Sequence, residues 1–199
     1  MDTVPAGEQD FQSFLAQYRA AHTDDVLVVT DEVAPEQEIT AVVDTLERQG
    51  RQPLCLFERV RGLGVPVAAN VFASRERIAR FFGTSQAGLH AAYQARAGRL
   101  CAPQIVASGP VCDVVQTDGF ELHRLPLLQH FETDRGPYVT NAIVIAQHPD
   151  TGAGNMSYHR SMVASATQLA TSLHSRGDLW RLLQIAAERG QVLPVAMVI

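Results

Sequence analysis

Short apolar runs alternating with a helix-period segment constrain the first half of this chain more than any other feature. Val26-Leu27-Val28-Val29 and Pro53-Leu54-Cys55-Leu56-Phe57 are strand-type runs bounded by turn residues. Between them Ile39, Val42, Val43 and Leu46 recur at the spacing of one helix face. Two strands joined through a helix of about a dozen residues can pair in parallel. Such a sheet has to bury both of its faces. Phe11, Phe14, Leu15 and Tyr18 predict a further amphipathic helix before the first strand. Val65-Pro66-Val67-Ala68 predicts an edge strand, because proline cannot donate to a ladder. Ser74 is placed to cap a helix over 75–82 that Gly83 stops, and another helix is expected over 85–97.

Beyond about residue 103 the texture changes, and glycine, proline and aspartate punctuate β-branched runs at 111–116, 138–147 and 155–162. The expected fold class is α+β / α/β, with an N-terminal α/β domain over 1–102 and a β-rich second domain over 103–199. Near the end Asp178 is placed to cap a helix with the apolar face Leu179, Leu182, Leu183 and Ala186, stopped by Gly190. Residues 193–199 read as a buried strand, and an apolar strand without a polar tail suggests a truncated domain.

Composition removes several function classes. With 46% hydrophobic residues in 199, the chain can bury a real core. Its apolar runs fall far short of the roughly 20 residues of a membrane-spanning helix. The first five residues carry neither a basic flank nor an apolar stretch, so a cytoplasmic protein is expected. Net charge is −5 with scattered basic residues, which argues against nucleic acid as a partner. All 16 basic residues are arginine, excluding Schiff-base catalysis and a P-loop lysine. Cys55, Cys101 and Cys112 form no Cys-x-x-Cys pair and are expected to be small buried apolar residues.

Three local features carry chemistry. Gly136-Pro137-Tyr138-Val139-Thr140 is a turn feeding a strand, in which Thr140 would share a face with Tyr138 and Ala142; taken alone, an ordinary surface turn and strand residue is the plainer reading. Asn155 and Arg160 follow the turn 150–154, where a hairpin re-enters its sheet. An amide oxygen suits a hard divalent cation and a guanidinium suits a carboxylate or phosphate. Residues five apart on a regular strand face opposite sides, so one site can use both only where the strand bends or ends. A turn asparagine with a solvated arginine remains the plainer alternative. His174 lies just before the last helix, as a metal ligand or a phosphate donor, with six other histidines in competition.

Taken in order, these segments resemble the UbiD family of reversible decarboxylases over roughly residues 31–199. The likeness rests on Pro53-Leu54-Cys55-Leu56-Phe57-Glu58, Pro66-Val67-Ala68-Ala69-Asn70-Val71-Phe72 and Ser74-Arg75-Glu76-Arg77-Ile78-Ala79. It continues through Leu125-Pro126-Leu127-Leu128, Asp134-Arg135-Gly136-Pro137-Tyr138-Val139-Thr140, the Asn155 to Arg160 spacing, and His174 ahead of Glu188-Arg189-Gly190 and Leu193-Pro194-Val195-Ala196. No single motif is as diagnostic as their order.

The resemblance implies that the second domain is the first part of a split β-barrel binding prenylated FMN, with Mn2+ or a similar divalent ion on its phosphate and usually K+. Asn155 and His174 would be metal ligands. The flavin would meet Thr140, the run Asn155, Met156, Ser157, Tyr158, His159 and Arg160, and Leu173 with His174. Arg160 would be the catalytic arginine that meets the substrate carboxylate. The activity implied is non-oxidative, reversible decarboxylation of an aromatic or α,β-unsaturated carboxylic acid. The family's third metal ligand, a glutamate, its proton-moving acids and a lysine contact all belong to a C-terminal half that this sequence does not contain. The chain alone is therefore expected not to turn over.

A flavin prenyltransferase would supply the cofactor, and the family tends to form homodimers or hexamers. Arg135 and His159 depart from the family's usual residues. Two other readings are a non-catalytic flavin- or metal-binding or assembly subunit that needs a C-terminal partner, and a degenerate remnant with an exposed barrel edge.

Overall fold

The computed structural model describes residues 10–99, 102 and 104–199. The expectations for Cys101 and for the first five residues lie outside them. The chain separates into two compact units, one taking in the residues up to Ala34 with Glu38–Thr117 and the other Pro35–Gln37 with Asp118–Ile199.

The first unit opens with α1 (Phe11–Ala21), capped by Asp10, whose carboxylate accepts from the Ser13 N–H at 2.8 Å. β1 (Val26–Val33), α2 (Glu38–Arg48) and β2 (Leu54–Val60) follow in the expected order, and β1 pairs β2 in parallel. β3 (Val67–Ala69) runs antiparallel along the other side of β2, so it is an edge strand as Pro66 requires. Leu54, Cys55, Phe57 and Val60 of β2 are buried, with Ile39 and Leu46 of α2 among the core residues. Burial pushes the Cys55 thiol up.

Ser74 caps α3 (Arg75–Phe81) by accepting from the Arg77 N–H, and Gly83 stops it at φ +61°. The next helix is shorter than expected. The chain makes turns through 84–88, where Ser85 bonds the Gly88 N–H, before α4 (Leu89–Ala97) begins.

A buried arginine ties this unit together. Arg77 has no solvent exposure, and its guanidinium donates to both carboxylate oxygens of Asp25, at 3.0 and 2.8 Å. It also donates to the carbonyls of Asn70, Val71 and Gln52. Burial opposes the charged form of Asp25, but bonds from Arg77 and Tyr18 outweigh it and hold the carboxyl below its ordinary value.

The second unit contains two three-stranded sheets. The first, in the order β4-β7-β8, comprises β4 (Tyr138–Val139), β7 (Ser161–Ser165) and β8 (Gln168–Thr171), all antiparallel. The other is β6-β5-β9, built from β5 (Ile143–Gln147), β6 (Gly154–Tyr158) and β9 (Val195–Val198), also antiparallel. α5 (Asp178–Glu188) packs Leu179 and Leu182 against Val144 and Ala146 of β5. Asp150 in the β5–β6 hairpin pairs with Arg189 just past α5. Leu127, Val139 and Ala142 form a second cluster, and Met197 packs against both.

Four expectations are corrected. Residues 111–116 form no strand; a 3-10 turn at Pro110–Cys112 gives way to irregular chain, with Val111, Val114 and Val115 exposed. Cys112 is exposed there because no described residue packs over that stretch. The strand expected over 193–199 is β9, which is mostly exposed, because it lies at a sheet edge with only Met197 turned into the core. Asp178 lies in the first turn of α5, and the cap position falls to Gly177, which has no side chain to offer.

Breaking a buried pair by removing one partner costs about 3–5 kcal/mol, so Arg77→Met should lower the stability of the first unit by that order, read by urea denaturation with far-UV circular dichroism. The Asp25 stabilisation is complete above its unfolded pKa, near 3.8, and is lost as pH falls through the lower folded value. The urea midpoint should therefore drop below pH 3.8 in the native chain, and more shallowly in Asp25→Asn.

Candidate functional site

Two short crossings join the two sheets of the second unit, residues 140–142 between β4 and β5 and residues 159–160 between β6 and β7. β6 ends at Tyr158 and β7 begins at Ser161, so His159 and Arg160 carry the chain from one sheet to the other. This break is the bend that lets Asn155 and Arg160 escape the opposite-face rule of a regular strand.

Along β6 and just past its end, Asn155, Ser157 and His159 alternate toward one side and are joined by hydrogen bonds. The Asn155 amide nitrogen donates to Ser157 Oγ at 3.3 Å, Ser157 Oγ lies 2.8 Å from His159 Nε2, and His159 Nδ1 lies 3.2 Å from the Ser172 carbonyl. Met156 and Tyr158 take the opposite face, each 68% exposed. They continue a face with Ile143, Ile145 and Val198 by register.

On the other sheet, Tyr138 pairs Met162 and Met162 pairs Ala170, so these three share a face, with Thr140, Arg160 and Ser172 extending it by one step. That face lines an open cavity of about 710 Å³, which Phe131 and Asp134 also border. The Asp134 carboxylate accepts from the backbone N–H groups of His130 and Phe131 at 3.1 and 2.9 Å. The cavity's acid is thus already engaged. Among the described residues, no hydrogen bond or ion pair occupies the Arg160 guanidinium. On the opposite face Ser161, fully buried, shares a 2.9 Å hydrogen bond with Thr171.

Thr140 and Arg160 are therefore brought together at one cavity, while Asn155, Ser157 and His159 form their own chain beside it. Ala142 does not share the Thr140 face as expected. The backbone bends at Asn141, and Ala142 is buried with Val139 and Leu127. Leu173 packs against the Val144–Leu182 cluster. His174 sits in the turn before α5, where its Nδ1 accepts from the Arg176 N–H at 3.2 Å. A neutral ring in that arrangement carries its proton on Nε2. Among the described residues, no group of three or more His, Cys, Asp or Glu side chains is placed to hold a metal ion, and no helix is long and apolar enough to cross a membrane.

Residues 19–96 match the 3-octaprenyl-4-hydroxybenzoate carboxy-lyase N-terminal domain, and residues 104–199 match the Rift-related domain of the same carboxy-lyase. The chain belongs to the UbiD family. This UbiD-type chain is 30% identical over 176 residues to the anhydromevalonate phosphate decarboxylase of Methanothermobacter thermautotrophicus, covering 88% of itself and 40% of that relative. The corresponding enzyme of Aeropyrum pernix is 32% identical over 178 residues, with 86% and 37% covered. Among solved structures, the UbiD-class enzyme HmfF from Pelotomaculum thermopropionicum in complex with FMN superposes with a TM-score of 0.85 at 30% identity, covering 94% of this chain and 42% of that one. The vanillic acid decarboxylase of Sedimentibacter hydroxybenzoicus shares the fold, with a TM-score of 0.86 at 23% identity, covering 100% of this chain and 43% of that one. The UbiD-type chain thus spans about 40% of the length of the relatives it matches.

Several cavity residues escaped the sequence reading, among them Phe131, Met162, Ala170 and Ser172. Met162 was the accessible one, two positions beyond Arg160 on one strand face. Adjacent residues on β7 should separate a structural role from a binding one. Ser161→Ala should cost about 1 kcal/mol, the worth of a typical hydrogen bond. Arg160→Met should stay within about 0.5 kcal/mol of the native chain. Trp180, the chain's one tryptophan, lies on α5 and reports unfolding of this unit by fluorescence in urea.

Proposed function

We propose that this chain is the N-terminal portion of a prenylated-FMN-dependent carboxy-lyase, acting on an aromatic or α,β-unsaturated carboxylic acid, with residues 103–199 forming the first part of a split β-barrel. The observation that carries this is Arg160, a guanidinium with no acid partner among the described residues, on the wall of a cavity whose carboxylate, Asp134, is already bound to backbone. The decarboxylase names of the relatives and the FMN of HmfF support it.

A carboxylate entering the cavity would be held by Arg160 through two parallel N–H···O bonds, which fixes the group that leaves as carbon dioxide. Tyr138, Met162 and Ala170 present apolar surface beside it, against which the unsaturated part of the acid would lie. Prenylated FMN, when bound, supplies an electron sink for the pair released on loss of carbon dioxide. For the divalent ion, Mn2+ by family likeness, Asn155 fits well: its nitrogen is used by Ser157, so its oxygen is what it can offer. His174 as it stands fits a phosphate oxygen, toward which Nε2–H can donate. Ligating a metal through Nε2 requires the proton to move to Nδ1 and the Arg176 contact to be given up. The remaining ligands, including the family's glutamate and any K+ site, and the acids that move protons would come from a C-terminal half, in the same or a separate chain.

Co-expression with a flavin prenyltransferase, followed by purification with Mn2+ and K+, tests this by absorbance and mass of bound flavin. Stoichiometric prenylated FMN is expected, lost in Asn155→Ala and His174→Ala. With the downstream region added, Arg160→Met should keep the flavin and lose turnover by at least about a hundredfold. Flavin held without turnover in the completed assembly would instead make this a binding or assembly subunit. No flavin in the completed assembly would sink the cofactor assignment.

A further inference from the structure

With His159 neutral, the hydrogen-bond chain running from β6 has one allowed direction, and that direction is set at the end farthest from Asn155. The Ser172 carbonyl can only accept, so His159 Nδ1 donates to it across 3.2 Å. A neutral imidazole that donates from Nδ1 must accept at Nε2. Ser157 therefore donates its hydroxyl proton to Nε2 at 2.8 Å. Its oxygen is then left to accept, and the Asn155 group 3.3 Å away has to be the amide nitrogen.

Ser157 alone could not make that choice. A hydroxyl both donates and accepts, so it would greet either end of the Asn155 amide, and the two orientations would differ little in energy. Only a neighbour of fixed polarity breaks the tie, and the backbone carbonyl of Ser172, acting through the imidazole, provides one.

We propose that His159 is a positioning residue. Acting through Ser157, it holds the Asn155 amide with its nitrogen bound inside the chain and its oxygen offered to a ligand. The consequence for a cation rests on Asn155 being the ligand named above. A freely turning amide would present a donor NH2 to a positive ion for much of the time. The relay is thus a second layer of support behind the metal site, of the kind whose loss typically weakens metal affinity about 10- to 100-fold.

Nuclear magnetic resonance on the 15N-labelled chain tests the orientation without any cofactor. Long-range 1H–15N correlations should show His159 as the Nδ1–H tautomer. In His159→Phe, and separately in Ser157→Ala, the side-chain amide protons of Asn155 should exchange with water about tenfold faster, with no further gain in the double variant, because both act through one path. Trp180 fluorescence and the backbone amide spectrum establish that each variant is folded, and Ser157→Ala carries the test if the bulkier substitution is not. With the downstream region added, titration with Mn2+ should show affinity reduced about tenfold or more in either variant.

An Nε2–H tautomer, or Asn155 amide exchange indifferent to both substitutions, would overturn the proposal. Native chain that shows the tautomer and the coupled exchange but takes up no Mn2+ even with the downstream region added would uphold the orientation and remove Asn155 from the cation site.

Discussion

A guanidinium cut off from water decides how the first unit closes. Arg77 has five N–H donors and no solvent to receive them, so every partner has to come from the chain. The partners come from three separate places: the carboxylate of Asp25 ahead of β1, the Gln52 carbonyl ahead of β2, and the Asn70 and Val71 carbonyls after β3. The starts of both parallel strands and the departure of the edge strand are thereby fastened to α3. Asn70 takes a left-handed backbone, φ +63°, and its side chain donates to the Pro53 carbonyl, so even the strained position is bonded across to β2. Hydrophobic burial supplies the bulk attraction of this layer, but it is non-directional. The arginine supplies direction.

The second unit solves a different problem. Two small sheets share a core through Met197, and two short strand-to-strand passages, residues 140–142 and His159 to Arg160, connect them. A polar run placed at such a passage can face two ways. Asn155, Ser157 and His159 keep the alternation of β6, and Arg160 already follows that of β7 toward Tyr138 and Met162. Groups suited to a cation and groups suited to a carboxylate thus come from six consecutive residues.

Much of the scaffold was legible because it is written in local periodicity. The apolar stripe of α2, the strand runs of β1 and β2, the cap at Ser74 and the glycine stops at Gly83 and Gly190 all depend on near neighbours. So was the condition for a joint site, since the five-residue spacing of Asn155 and Arg160 demanded a break between them. What failed was whatever depends on distant packing. β-branched residues at 111–116 have strand propensity, but among the described residues no neighbouring strand receives them. β9 is apolar enough for an interior, yet it occupies an edge. Nothing in the neighbouring sequence marks Arg77 for its role, because its five acceptors lie as far as 52 positions away. The cavity residues Phe131 and Ala170 carry no chemical signature of their own; Ala170 belongs to the site through pairing of β7 with β8, and Phe131 through the turn bonded to the Asp134 carboxylate.

The alternation along β6 also determines which changes in chain length the site can survive. Asn155, Ser157 and His159 occupy successive positions on one side, while Met156 and Tyr158 hold the other. A single-residue insertion or deletion within the strand would exchange the two sets at a stroke, offering thioether and phenol where amide, hydroxyl and imidazole had been. The hairpin that precedes it, with Gly152 at φ +70°, could lengthen without disturbing that order. Divergence in this region is therefore free to accumulate as gaps in the hairpin, and is confined to substitutions once the strand begins.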